Sequence, residues 1–263
     1  MVQLSSILLP LPALAPAYYP APVPPASLAS AAPPSARFSP PGAQRFDQEI
    51  FEELAKQKNY NALAKIAEKD KTQFKIFKRL KWKGQLYQIN ESIRVNFQDS
   101  LRIGIIKRIT SIKSFVDNQE LPLLQLNWYY SKMDLDSQWE RYMKCFSEYE
   151  LFLTEISDFI FIGQIIDKVK VLSLNEYDSF LDDDISGQNR LFFMRCTYNG
   201  DKKSINPNPN ELEKVCFCDM PQNPDLVYIF CESCKKWLHM DCVHLTEDEA
   251  KNIEEYICVQ CNK

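Results

Sequence analysis

Residues 216–261 read CFCDMPQNPDLVYIFCESCKKWLHMDCVHLTEDEAKNIEEYICVQC, and the spacing of donor side chains in that stretch decides how it folds. Cys216 and Cys218 are followed after twelve residues by Cys231 and Cys234, after four more by His239 and Cys242, and after fifteen by Cys258 and Cys261. Eight thiol and imidazole donors in four close pairs give the ligand count of two tetrahedral zinc sites. A module of fewer than about fifty residues is too small to bury an adequate apolar core. Two structural zinc ions, each contributing roughly 10–16 kcal/mol in zinc-finger peptides, offset that deficit. A disulfide framework accounts for neither His239 nor the odd total of nine cysteines. Metal organises this segment, and its cysteines at metal spacing point to a reducing compartment.

Upstream, residues 201–214 read as a linker and residues 71–200 as a mainly β domain. Short runs rich in β-branched and aromatic residues recur there, among them Ile93 to Phe97, Ile103 to Ile112, Leu121 to Tyr130 and Leu191 to Thr197. Runs of this kind, bounded by Asn, Asp or Gly, predict a sandwich or barrel. Residues 134–148 interrupt them as a loop or helical insertion, as does the acidic run Asp178 to Asp184. Neither holds a nucleophile beside a base. Cys145 and Cys196 lie outside the metal spacing and read as buried free thiols. From Lys71 to Lys83, the apolar Phe74, Ile76, Leu80 and Trp82 alternate with lysines and Arg79. A strand there has one apolar and one basic face, and the basic face is either solvated or a patch for DNA phosphates.

Residues 45–70 place Leu54, Leu63, Ile66 and Ala67 at helical spacing, with Asn59 and Asn61 dividing two short helices. Residues 1–44 hold eleven of the sixteen prolines and ten alanines, with Arg37 as the only charge, and read as a disordered tail. No basic residue precedes Ile7, and Pro10, Pro12 and Pro16 break the apolar run behind it, which argues against a secretory signal, as does zinc ligation. No run approaches the ~18 apolar residues of a membrane span, so no membrane partner is expected. Charge is unevenly distributed. Residues 45–113 carry 16 basic and 8 acidic side chains, whereas residues 215–263 carry 4 and 9. An acidic zinc module suits a basic peptide better than a phosphate backbone.

The ligand order of four cysteines, a histidine and three cysteines resembles that of the PHD finger, which RING domains of the variant class share. Three details favour the PHD reading: Trp237 two residues before His239, Tyr256 two before Cys258, and the single residue between Cys216 and Cys218. The resemblance implies a cross-braced fold. One zinc takes Cys216, Cys218, His239 and Cys242; the other takes Cys231, Cys234, Cys258 and Cys261. In the β domain, Ile103 to Ile109, Leu124 to Tyr130, Glu150 to Thr154 and Phe192 to Tyr198 follow the order of a BAH domain. A BAH domain leading into a PHD finger is similar to the plant short-life and early-bolting-in-short-days chromatin readers. The segment Asp219 to Asp225 and the triplet beginning at Glu249 resemble that family too.

The resemblance implies a nuclear, non-enzymatic protein that binds the methylated tail of histone H3 and recruits or anchors other subunits of a chromatin complex. Trp237 and Tyr228 are then the aromatic walls for trimethylated lysine four, while Asp219 and Asp225 hold the arginine at the tail's second position. Leu226 to Phe230 is the strand that pairs with the tail. Trp128 and Tyr130 match the aromatic pair that receives lysine twenty-seven in the BAH domain. The alternatives are that Trp237 and Tyr228 merely shield zinc, over which the cage reading is preferred because a tryptophan so placed is hard to bury in a small module, and that Trp128 and Tyr130 are barrel core. Gln222 and Arg102 stand where the family has cage tyrosines, and His244 where a glycine is common. The alternatives from other classes are a RING-variant ubiquitin ligase and a structural subunit with vestigial pockets.

Overall fold

The computed structural model describes residues 53–69, 74–113, 120–181 and 191–262. The proline-rich tail, the first residues of the helical segment and the end of the acidic run lie outside them. Helix α1, Tyr60–Ala67, begins at Asn59, whose side chain accepts the Ala62 amide, and it buries Leu63, Ala64 and Ala67. The basic stretch forms two strands, β1 (Phe74–Phe77) and β2 (Arg79–Trp82), the second paired with β3 (Gln85–Gln88). Then come β4 (Ser92–Phe97), β5 (Ser100–Lys113) and β6 (Glu120–Tyr130). Gln98 and Asp99, both at positive φ, make the two-residue turn joining β4 to β5. Gly104 on β5 sits at a close approach: a Cβ there would lie 3.0 Å from that of Leu126 on β6.

Residues Lys132–Asp134 and Ser137–Cys145 form 3-10 turns, the insertion the sequence marks. Strands β7 (Glu150–Phe161) and β8 (Ile165–Leu172), helix α2 (Leu174–Leu181), β9 (Leu191–Asn199) and β10 (Ser204–Asn206) complete the β domain. Strand order in the large sheet is β1-β5-β4-β8-β9-β7-β6 with β10 on β9, and β5 also pairs with β6, so the hydrogen-bonded path closes on itself. The segment read as a linker, 201–214, thus supplies a strand: Ile205 is opposite Tyr198 and is buried. Its apolar side chain gives it a place in the core that a solvated linker lacks.

Two compact units divide the described chain. Residues 53–129 and 154–169 form the first. Its core holds Ile93, Val95, Ile106, Ile109, Leu124, Leu126, Trp128 and Ile160, with α1 covering Ile112 and Leu123. Residues 130–153 and 170–262 form the second, built around Phe146, Phe152, Cys196, Tyr198 and Ile205. The zinc-ligand segment belongs to this second unit, in which strand β11 (Tyr228–Phe230) pairs with β12 (Trp237–His239), followed by α3 (Met240–Val243) and α4 (Glu247–Ala250).

Within the second unit, one buried ion pair ties that segment to the strands. Arg195 on β9 donates from Nε and Nη2 to the two carboxylate oxygens of Glu150, at 2.7 and 3.0 Å. Its remaining donors go to backbone carbonyls, Nη1 to Gln222 at 2.7 Å and Nη2 to Cys145 at 2.9 Å. The Glu150 side chain is fully buried. Burial pushes its carboxyl up, and the Arg195 guanidinium opposes the shift. Asn223 donates to the Lys144 carbonyl at 2.9 Å, while Asp225 accepts from Ser147 Oγ at 2.6 Å and from the Glu148 amide at 2.7 Å. A guanidinium bonded on every side is the arrangement in which a buried charge is tolerated.

Candidate zinc centres and peptide-binding face

The eight donors gather into two quartets, Cys216, Cys218, His239 and Cys242, and Cys231, Cys234, Cys258 and Cys261, with all donor atoms of a quartet within 4.8 Å of one another. These are the quartets the cross-braced resemblance implies. With Zn–S near 2.3 Å and Zn–N near 2.0 Å, a tetrahedral site has edges of roughly 3.5–3.8 Å. His239 Nδ1 lies 3.4 Å from Cys218 Sγ and 3.9 Å from Cys242 Sγ, and Cys234 Sγ lies 4.0 Å from Cys258 Sγ. Donor type, count and separation all fit zinc. Burial pushes His239 down, toward the neutral imidazole a metal needs, and pushes the thiols of Cys234 and Cys242 up to about 12. Burial pushes the Cys231 thiol up, but the amides of Cys234, Cys258 and Ser233 outweigh it and draw the thiol down to about 6.

The β11–β12 hairpin has two unlike faces. Ile229 and Leu238 lie opposite each other and are buried with Met240, Val243 and Ala250. The other face carries Tyr228 across from His239 and Phe230 across from Trp237, because side chains alternate along a strand. Ring centroids of Phe230 and Trp237 are 5.1 Å apart, those of Tyr228 and His239 4.8 Å. Trp237 is 36% exposed. The Tyr228 hydroxyl is engaged, accepting from the Asn223 amide at 2.8 Å and donating to its carbonyl at 3.0 Å. Burial of this phenol pushes it up to about 12. Tyr228 therefore lies against the zinc ligand His239 and is partly buried, while Trp237 stands open. Phe230 was not among the residues singled out from sequence; its place two residues beyond Tyr228 in a strand was the available signal. Lys235 Nζ lies 5.7 Å from the Phe230 ring, so this face already attracts a cation.

The loop Asp219 to Asp225 faces elsewhere. Both Asp225 oxygens accept from Ser147 and Glu148, and Gln222 gives its carbonyl to Arg195 and its amide to Asp178 at 3.4 Å. Asp219, at φ 58°, is exposed. His244 also has positive φ, 55°, and caps helix α3 in the left-handed conformation, which explains why glycine suits that position. In the β domain, Trp128 is 2% exposed, packs against Phe97 with centroids 4.8 Å apart, and donates its indole N–H to Asp158 at 2.5 Å. Asn61 at the start of α1 holds the other Asp158 oxygen at 2.5 Å. Tyr130 packs in the second unit's core, its ring 5.7 Å from that of Tyr198. Arg102 is half-buried on β5 opposite Val95.

A closed β path that leads into a module with two zinc quartets fits a BAH domain followed by a PHD finger, and the family comparisons identify both. The BAH domain model matches residues 85–209 and the PHD-finger model residues 216–261. The finger is therefore of the PHD class and not a RING variant. Chromatin remodeling protein SHL of Arabidopsis thaliana is 34% identical over 116 residues, covering 43% of this chain and 47% of that protein. Chromatin remodeling protein EBS of the same plant is 41% identical over 54 residues, 20% of this chain and 23% of that protein. Nucleosome-remodeling factor subunit NURF301 of Drosophila melanogaster is 31% identical over 100 residues, 36% of this chain and 4% of that protein. The matches span less than half the length of each of these relatives.

Proposed function

We propose that this protein is a nuclear, non-enzymatic chromatin reader that docks the histone H3 tail on its PHD finger and anchors partner subunits at nucleosomes. The chromatin names of the relatives support the setting. The observation that carries the reading is the open aromatic face, in which Trp237 stands exposed beside Phe230 and Tyr228 on a hairpin whose sheet, among the described residues, contains only β11 and β12. An extended tail adds to the free edge of β11 by main-chain hydrogen bonds. A trimethylated lysine keeps its charge and loses its donors, so aromatic faces select it by cation–π attraction worth roughly 0.5–2 kcal/mol per ring. Trimethylated lysine four is the preferred ligand, with Trp237 and Tyr228 as walls. Asp219, exposed, is the freer of the two acidic candidates for the tail's arginine, since Asp225 must first release Ser147. Lysine twenty-seven in the BAH domain ranks second, because a ligand has to displace Asp158 from the Trp128 indole.

Calorimetric titration of the whole protein with tail peptides differing only in methylation at lysine four tests this. The trimethylated peptide should bind most tightly, and Trp237→Ala should weaken it roughly 2–30-fold, the equivalent of one ring. Equal affinity for all peptides, or binding indifferent to Trp237, overturns the methyl-lysine reading. The engagement of Trp128 and Asp225 favours a second reading, a structural subunit; there Trp237→Ala leaves complex assembly unchanged and no peptide binds.

A further inference from the structure

We propose that the β2–β3 hairpin is a sequence-independent contact for the DNA phosphate backbone. This rests on the nucleosome setting proposed above but not on the peptide site. The hairpin forms a sheet of its own, with Lys81 opposite Leu86 and Arg79 opposite Gln88. It turns at Lys83 and Gly84, whose φ values of 46° and 80° are both in the left-handed region that a tight two-residue turn demands. Leu80 and Trp82 point inward and pack on the first unit's core. Alternation then sends Arg79 and Lys81 outward, with Lys83 at the tip, and all three are exposed. Residues i and i+2 of a strand are spaced by roughly 6.6 Å, so Arg79 and Lys81 stand in line along one side of a narrow ribbon, while Lys83 at the tip lies 5.9 Å from the Trp82 ring.

Among the described residues no carboxylate neutralises those cations. No acidic residue occurs from Phe74 to Asn90. Among the described residues Lys78, Arg79, Lys81 and Lys83 have no carboxylate partner, whereas other cations of the same unit do: Lys75 with Glu120, Arg94 with Asp167, Arg108 with Glu68 and Lys168 with Glu91. Arg102 and Lys107 of the same unit also lack a carboxylate partner among the described residues, so what sets the hairpin apart is that three such cations fall within five residues of one ribbon. A polyanion fits better than an acidic peptide. Leu86 is the one apolar side chain on the ribbon's outward face, which leaves a peptide little to anchor in, while a phosphate backbone requires only charge and spacing.

The test is fluorescence anisotropy of the whole protein with two short labelled duplexes of unrelated sequence, titrated across salt. Both duplexes should bind alike at low salt. Changing Arg79, Lys81 and Lys83 together to Gln should reduce the slope of log affinity against log salt by about 2.7, at roughly 0.9 per lost phosphate contact. A control of equal charge change on the finger, Lys235→Gln with Lys236→Gln and Lys251→Gln, should leave that slope nearly intact. Equal losses in the two triple variants assign the binding to net charge and overturn the proposal, as does a wild-type protein that binds no duplex. A ribbon that retains poly-glutamate but not DNA overturns it in favour of an acidic protein partner. Trp237→Ala should not alter duplex binding, so failure of the peptide reading and failure of this one remain distinguishable.

Discussion

The first unit's main core cluster and the finger's core are built from different materials. The eleven buried residues of the former include no cysteine, and aliphatic side chains from β4, β5 and β6 fill it. Of the eight buried residues in the finger's core cluster, three are cysteines of the zinc quartets, and the remaining five are small or mid-sized apolar groups. At about 25 cal/mol per Å2 of buried apolar surface, long strands stabilise themselves by area. The finger has strands of only three residues and little area to bury. The difference teaches that the same chain changes its source of stability, from apolar burial to metal coordination, within one polypeptide.

The sharpest way to break the comparison is to remove zinc. Chelation should unfold the finger, a loss on the order of 10–16 kcal/mol per site, while amide protection at Ile93, Ile106 and Leu126 persists. Simultaneous loss of that protection at the same chelator concentration would erase the distinction.

Next in size is the ion pair joining the finger to the strands of its own unit. Arg195→Met leaves Glu150 buried and unpaired, an expected cost of about 3–5 kcal/mol in thermal or denaturant unfolding. Adding Glu150→Leu should restore much of it, since apolar replacement of both partners is often neutral. A single variant as stable as the parent would show that the pair contributes nothing.

Leu126→Ala should cost about 2–5 kcal/mol in the first unit's unfolding transition, from lost transfer energy and the cavity left behind. Zinc affinity, read by competition with a chromophoric chelator, should not change. A shift in that affinity would couple what the comparison separates. The smallest effect is expected at the left-handed cap of α3, where His244→Gly should add roughly 0.5–1 kcal/mol by removing the strain on an L side chain. Its measurable trace is a modest rise in the chelator concentration needed to open the finger.

Much of this was legible in the residues. The ligand spacing identified the metal module, and Asn59 ended one helical turn and capped the next. Thr246 with Glu249 was a capping box waiting to be read, and it starts α4. The aromatic character of Trp237 and Tyr228 was visible, but not their unequal roles. Those depend on Asn223, which claims the Tyr228 hydroxyl through both its backbone groups. Likewise Asp225 looks like a ligand-binding acid in sequence. Only the approach of Ser147, far upstream, shows that its carboxylate is already engaged.

By itself the sequence determined what is local in origin: the zinc donors, set by spacing along the chain, the alternation that gives the β2–β3 ribbon its basic face, and the residues able to cap and turn. Tertiary structure decided what depends on distant partners: the placing of Arg195 between Glu150 and the finger, the burial of Trp128 on Asp158, and the capture of residues 204–206 as a strand. The physical reason is range. Donor spacing and side-chain alternation act over a few residues, whereas burial and hydrogen-bond satisfaction are settled only when segments far apart in the chain are brought together.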